Sequence, residues 1–181
     1  MRFDRPLIFD ACALINLHAS GRLGDVLRSV PHPTLVRETV RTLELRQTET
    51  LDALNPVGDR LGDLIASGQL TVVDFADDTE AGRFIDFAFA IGDDGEAASL
   101  AIAVSRGFCV VTDDRRARQF AAQEVPSVSL VYTLEVLAHW TNADAVPPEH
   151  VRSALTSMRH DGRYVPPRSH PQYDWWSSIM L

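Results

Sequence analysis

Lysine is absent from this 181-residue chain, whose 17 basic residues are all arginine. This excludes a phosphoacceptor receiver domain, which needs a lysine beside its acidic pocket. The two cysteines, Cys12 and Cys109, lie in apolar runs far apart, which argues against a disulfide scaffold and a zinc site of paired cysteines. No apolar run approaches the roughly 20 residues that cross a bilayer, and the N-terminal residues do not resemble a signal peptide. We therefore expect a cytoplasmic protein with no membrane partner.

Negative charge exceeds positive charge, with 25 acidic residues and a formal net charge of −8. A protein of this charge cannot attract nucleic acid through its overall electrostatic field. Contact with phosphate groups would require a local arginine cluster, or metal ions held by the acids. We therefore ask whether the acidic residues are spread over the surface or gathered into one site.

Short apolar runs alternate with segments of helical periodicity along most of the chain. Runs such as 7–9 and 108–111 have no polar face, which is typical of parallel strands covered on both sides. We predict an α/β fold: a three-layer α/β/α sandwich with a short, mostly parallel central sheet. The domain is expected over residues 1–145, and a C-terminal helix and tail extension over 146–181. Aromatic residues of this tail are expected to dock on the chain's own domain.

Two predicted strands end in carboxylates, one at Asp10 and the other at Asp113 and Asp114. Ligands of open α/β sheets bind beyond the carboxyl ends of the strands, so acids on neighbouring strands would converge there. Glu38 and Glu96 begin predicted helices that face the same edge. Taken alone, Glu96 is also explained by stabilisation of a helix N-terminus, and an aspartate after a strand by a turn or cap. Glu38 alone is also explained as a solvated helix residue.

Convergence of these acids would require a cation. Two carboxylates about 4 Å apart repel each other by about 4 kcal/mol at an effective dielectric constant near 20. A purely oxygen ligand set favours a hard ion, Mg²⁺ or Mn²⁺. A haloacid-dehalogenase phosphatase is discounted, because Cys12 stands where that chemistry needs a second aspartate.

Three segments, in this order and spacing, resemble PIN-domain nucleases. Residues 7–17 (LIFDACALINL) resemble the opening strand and helix of that family. Residues 95–101 (GEAASLA) resemble the GE-x-A-x-x-LA helix of one branch, and residues 110–118 (VVTDDRRAR) its DD-x-x-AR segment. The resemblance extends over roughly residues 5–140. Families of this kind include VapC-type toxin ribonucleases, which pair with a small antitoxin.

The resemblance implies a Mg²⁺- or Mn²⁺-dependent ribonuclease whose catalytic residues are Asp10, Glu38, Glu96 and Asp114. The same four acids would bind the metal, and Asp113 would share or replace the last of them. The implied partners are an RNA substrate, a small antitoxin protein and a second copy of the chain.

Four further residues are candidates for binding substrate. Asn16 on the first helix could hydrogen-bond a carboxylate or a water molecule, and Arg115, Arg116 and Arg118 could hold substrate phosphates. The alternatives are a helix-surface amide for Asn16 and ion pairs with nearby acids for the arginines.

Departures from the family pattern leave two ligand positions open. The spacing from proline to Glu38 is a residue short, and Glu44 and Glu49 are nearby rivals. Many PIN proteins carry aspartate at the third position, so Asp93 or Asp94 competes with Glu96. The alternative function is a non-catalytic PIN-like module that binds RNA or a protein.

Overall fold

A computed structural model describes residues 3–38 and 61–181. Five strands in these two parts of the chain form one fully parallel sheet in the order β3-β2-β1-β4-β5. The strands are β1 (Leu7–Phe9), β2 (Thr34–Arg37), β3 (Thr71–Val73), β4 (Cys109–Val111) and β5 (Ser129–Val131). Helices flank the sheet, so the predicted three-layer α/β/α sandwich is confirmed.

Nine helices are present in the described residues. They are α1 (Ala11–Ala19), α2 (Leu23–Ser29), α3 (Leu61–Ala66), α4 (Asp78–Ile91), α5 (Asp94–Arg106), α6 (Arg115–Glu124), α7 (Thr133–Ala143), α8 (Pro148–His160) and α9 (Tyr173–Met180). None of these helices is long and apolar enough to span a bilayer.

The central strand β1 sends side chains into two separate hydrophobic cores. Leu7 and Phe9 join the core that includes buried residues of α1, α2, α7 and α8. Ile8 points to the opposite face and packs in the core that includes residues of α4, α5 and α6. Both faces of the sheet are therefore covered, which is why the strands carry apolar residues without alternation.

Glycines end the two long helices that precede β4. Gly92 follows α4 with φ = 77°, and Gly107 follows α5 with φ = 70°. This left-handed conformation is strained for residues with a Cβ atom, so glycine is the natural C-cap. The turn at Gly107 lets the chain enter β4 two residues later.

The C-terminal tail packs on the rest of the chain, as expected. Trp176 on α9 is 5% exposed and belongs to the core that contains Leu7 and Phe9. The tail also forms a helix, α9, where the sequence indicated no regular structure. A polar, proline-rich stretch precedes this short helix and hides its periodicity, while its burial supplies the stability. The domain boundary at residues 145/146 stays a prediction.

Substitution Trp176→Ala tests the docking of the tail. We expect it to lower the free energy of unfolding by about 3–5 kcal/mol, because a large buried side chain is lost. At 2–4 °C per kcal/mol for a chain of this size, the melting temperature would fall by about 6–20 °C. Thermal unfolding followed by circular dichroism measures the change. The half-buried neighbour Trp175 packs against the same core, so Trp175→Ala should cost less than Trp176→Ala. An unchanged melting temperature of Trp176→Ala would contradict the docking.

Candidate active site

Asp10 is the first residue after the central strand and begins helix α1 as its N-cap. Its Oδ1 accepts a hydrogen bond of 2.7 Å from the backbone N–H of Ala13, and the residue is 1% exposed. Its own backbone N–H donates to the carbonyl of Val111 at 3.1 Å. The backbone of Asp10 is therefore joined directly to the end of β4.

The turn after β4 carries Asp113 and Asp114 at the strand end next to that of Asp10, because Phe9 pairs with Val111 in the sheet. Asp114 is the N-cap of α6: its Oδ1 accepts from the N–H of Ala117 at 2.7 Å. Its backbone N–H donates to Oγ1 of the buried Thr112 at 3.0 Å. Asp10 and Asp114 thus occupy equivalent positions, each capping the helix that follows one of two adjacent strands.

Glu38 follows the last residue of β2, the strand on the other side of β1, and is half-buried. Arg37 precedes it, with its guanidinium carbon 4.4 Å from the centre of the Phe75 ring and its Nε 3.8 Å from Oδ1 of Asp74. The cation of Arg37 is thus held beside Asp74 and Phe75. The rivals Glu44 and Glu49 lie outside the described residues.

Glu96 lies in the first turn of α5 and is 8% exposed, whereas Asp93 and Asp94 are exposed. Asp93 is the N-cap of this helix, and its Oδ1 accepts from the N–H groups of Gly95 and Glu96. Only a short turn separates the end of α5 from the start of β4, so the helix runs back along the sheet, opposite in direction to the strand. The first turn of α5 therefore lies toward the edge where the strands end. Burial and this direction favour Glu96 over Asp93 as the acid facing that edge.

Topology therefore assigns the four predicted acids to one edge of the sheet. A shared edge does not by itself bring the side chains together. Within residues 3–38 and 61–181, no three histidine, cysteine, aspartate or glutamate side chains are close enough to hold a metal ion. The donor set fits a hard divalent cation in its chemistry, since carboxylate oxygens are the preferred ligands. In the helix caps, Asp10 and Asp114 each accept through Oδ1.

The four predicted substrate residues are in different environments. Arg115 and Arg116 are exposed at the start of α6. Arg118 instead donates from Nη1 to the carbonyls of Thr112 and Val131 at 2.9 and 3.3 Å. Asn16 is buried in α1, where its Oδ1 lies close to Gly162. Exposure thus favours Arg115 and Arg116 for phosphate contact, and Arg118 supports the ends of β4 and β5.

A family model described as PIN domain matches residues 6–172. The chain belongs to the PIN-domain family. No curated protein and no solved structure gives a match. The match extends past the resemblance at 5–140 and takes in α8 and the start of the tail. PIN domains are generally nucleases and typically use divalent metal ions. This agrees with the acidic residues at the carboxyl ends of the strands in this PIN domain.

Sequence reasoning missed the part of this PIN domain that lies against Asp113. Tyr164 and His170, both from the C-terminal segment, lie where the negative charge of Asp113 affects their titration. Burial and this charge together raise the pKa of Tyr164, whereas burial lowers the pKa of His170. The only sequence signal was the aromatic and histidine content of the tail, which does not indicate where it docks.

Proposed function

We propose that this PIN domain is a Mg²⁺- or Mn²⁺-dependent endoribonuclease that hydrolyses phosphodiester bonds in RNA in the cytoplasm. The observation that carries the proposal is the parallel pairing of β1 with β4 in a chain of a nuclease family. This pairing sets the carboxylates of Asp10 and Asp114 at the ends of adjacent strands. A role as the toxin of a toxin–antitoxin pair, with a small antitoxin and a second copy as partners, is part of the same proposal.

Each residue has a distinct task in this mechanism. Asp10 and Asp114 would hold the ion, and Glu38 and Glu96 would complete the ligand shell or orient the attacking water. When bound, the divalent ion supplies activation of water and stabilisation of the charge on the phosphate and the leaving oxygen. Arg115 and Arg116, exposed at the start of α6, would bind the substrate phosphates.

The second candidate is a non-catalytic module that binds RNA or a protein. The observation that favours it is the lack of a compact group of three metal-binding side chains within the described residues. Such a module would use the same edge and its exposed arginines for binding but would leave RNA intact.

Cleavage of RNA with and without metal separates the two candidates. We expect the purified chain to cut end-labelled RNA in Mn²⁺ or Mg²⁺ and to stop in EDTA. Glu96→Gln should reduce the rate by about 10- to 100-fold, since loss of a group near the metal typically costs this much. Glu124→Gln, an exposed change at the end of α6, should cut like the wild type. RNA that is bound but uncut, or cut equally in EDTA, would contradict the proposed mechanism.

A further inference from the structure

A cluster of buried polar atoms lies where β4 and β5 end, next to the candidate metal edge. It contains Oδ2 of Asp113, Oγ1 of Thr133, the hydroxyl of Tyr164 and Nε2 of His170. None of these four atoms has a hydrogen-bond partner of normal geometry among the residues that the structure describes. Thr133 is 0% and His170 6% exposed. Buried polar groups left in this way are costly and call for an explanation.

Asp113 is oriented toward this cluster. Its Oδ1 accepts a hydrogen bond of 3.2 Å from the backbone N–H of Thr133, the first residue of α7. The cap that joins Asp114 to α6 is separate from this contact. The two adjacent aspartates therefore contact different helices.

The donors around Asp113 come mainly from the C-terminal segment. Nδ1 of His170 accepts from the N–H of Gln172 at 2.9 Å, which places the proton of the neutral ring on Nε2. Oδ2 of Asp113 and the hydroxyl of Tyr164 are both buried without a hydrogen-bond partner of normal geometry among the described residues. Burial and the charge of Asp113 raise the pKa of Tyr164. One acceptor, Oδ2 of Asp113, is thus available to the O–H of Tyr164 and the N–H of His170.

Contacts between aromatic rings and a guanidinium group hold this segment in place. The ring of His170 lies 4.3 Å from the ring of Tyr132, centre to centre. The guanidinium of Arg118 covers Tyr132 at 3.3 Å from its ring centre and donates to the carbonyls that end β4 and β5. A continuous set of contacts therefore joins the C-terminal segment to the turn that carries Asp114.

We propose that Asp113 is a positioning residue: with Tyr164 and His170 it fastens the C-terminal segment to the 112–114 turn and so fixes Asp114 for catalysis. The inference rests on the proposed nuclease function. It assigns to Asp113 a role other than metal ligation and makes the C-terminal segment a part of the nuclease site.

Substitutions Asp113→Asn and Tyr164→Phe test the proposal, with Tyr173→Phe on α9 as the matched control. In either orientation the amide introduced by Asp113→Asn turns its NH2 toward a donor, so one contact of the original carboxylate is lost. We expect kcat to fall about tenfold in both variants, as for one lost buried polar contact, with KM within about twofold. The increase in melting temperature caused by Mn²⁺ should be the same in the two variants, since neither of them loses a metal ligand. A double variant should lose little more than Asp113→Asn alone, because both changes remove one interaction.

Limited digestion with trypsin supplies a readout that does not depend on activity. Arg163 and Arg168 are exposed and bracket Tyr164, so their cleavage reports release of the segment. We expect cleavage at these sites, identified by mass spectrometry, to be about tenfold faster in Asp113→Asn and Tyr164→Phe than in the wild type or Tyr173→Phe.

Two results would overturn the proposal. Loss of the Mn²⁺ effect in Asp113→Asn but not in Tyr164→Phe would make Asp113 a metal ligand. Equal tryptic rates in Tyr164→Phe, Tyr173→Phe and the wild type would show that Tyr164 does not fasten the segment. Failure of the wild type to cleave RNA would instead reject the proposed function, and the tryptic rates would still decide whether Asp113 fastens the segment.

Discussion

Substitution Asp10→Asn is expected to reduce metal-dependent RNA cleavage by about 10²- to 10³-fold. A metal ion supplies several kcal/mol of transition-state stabilisation, and each 1.36 kcal/mol corresponds to a factor of ten in rate. Asn is as good an N-cap as Asp, so the hydrogen bond to the N–H of Ala13 survives and helix α1 should remain intact. Initial rates on a labelled RNA in Mn²⁺ measure the effect.

Thermal unfolding of the same variant separates loss of metal binding from loss of structure. Mn²⁺ at 100 times its dissociation constant should stabilise the wild type by about 2.7 kcal/mol, and Asp10→Asn should lose this gain. Without metal, Asp10→Asn should melt higher than the wild type, because one of the carboxylates at the edge loses its charge.

Asp77→Asn is the matched control, since Asp77 caps α4 by the same kind of hydrogen bond and is not one of the candidate ligands. It should keep the Mn²⁺ effect in full. A lower melting temperature of metal-free Asp10→Asn, with an unchanged response to Mn²⁺, would count against a metal site at Asp10.

Substitution Glu80→Ala is expected to lower the free energy of unfolding by about 3 kcal/mol, the lower end of the range for breaking a buried ion pair. Both oxygens of Glu80 accept from Arg106, at 2.8 Å from Nε and 2.7 Å from Nη2. The backbone N–H of Ala76 also donates to Oε2 at 2.7 Å. The pair joins the start of α4 to the end of α5, and its loss should lower the melting temperature by about 6–12 °C. Asp25→Ala, which breaks exposed pairs on α2, should cost less than about 1 kcal/mol.

The same pair predicts how stability depends on pH. The hydrogen bonds from Arg106 hold the pKa of Glu80 below its ordinary value of 4.5. The unfolded chain then binds a proton before the folded chain does, so this stabilisation is complete above pH 4.5 and is lost as pH falls further. The difference in melting temperature between the wild type and Glu80→Gln should therefore shrink from pH 6 to pH 3. A constant difference over this range would show that the charge of Glu80 is not what stabilises the fold.

Local patterns were enough to predict the central layers of the fold. Residues 7–9 are apolar on both faces and are followed by a capping carboxylate, which marks a buried strand that leads into a helix. The strand order could not be predicted in this way, because it depends on pairings such as Leu7 with Cys109, which are about 100 residues apart. Helix α9 was missed because its stability comes from packing of Trp176, a tertiary effect.

The candidate site was predictable where each residue stands next to a strand end. Asp10 and Asp114 were placed by this rule, and the register of β1 with β4 puts them at one edge. The internal contacts of Arg118 were not foreseen, since a cluster of arginines looks the same in sequence whether it binds phosphate or the chain's own carbonyls. Thr133, whose backbone N–H donates to Asp113, lies 20 residues further along, and Tyr164 lies further still, beyond the reach of any local motif.

The central claim is that Asp10 and Asp114 bind the same divalent ion. Crystals grown in Mn²⁺ and measured near the manganese absorption edge would test it most directly. We predict an anomalous difference peak at the carboxyl ends of β1 and β4, with oxygens of Asp10 and Asp114 at ligand distance. Ordered crystals in which Mn²⁺ binds elsewhere, with Asp10 and Asp114 turned away from each other or paired with arginines, would contradict the account.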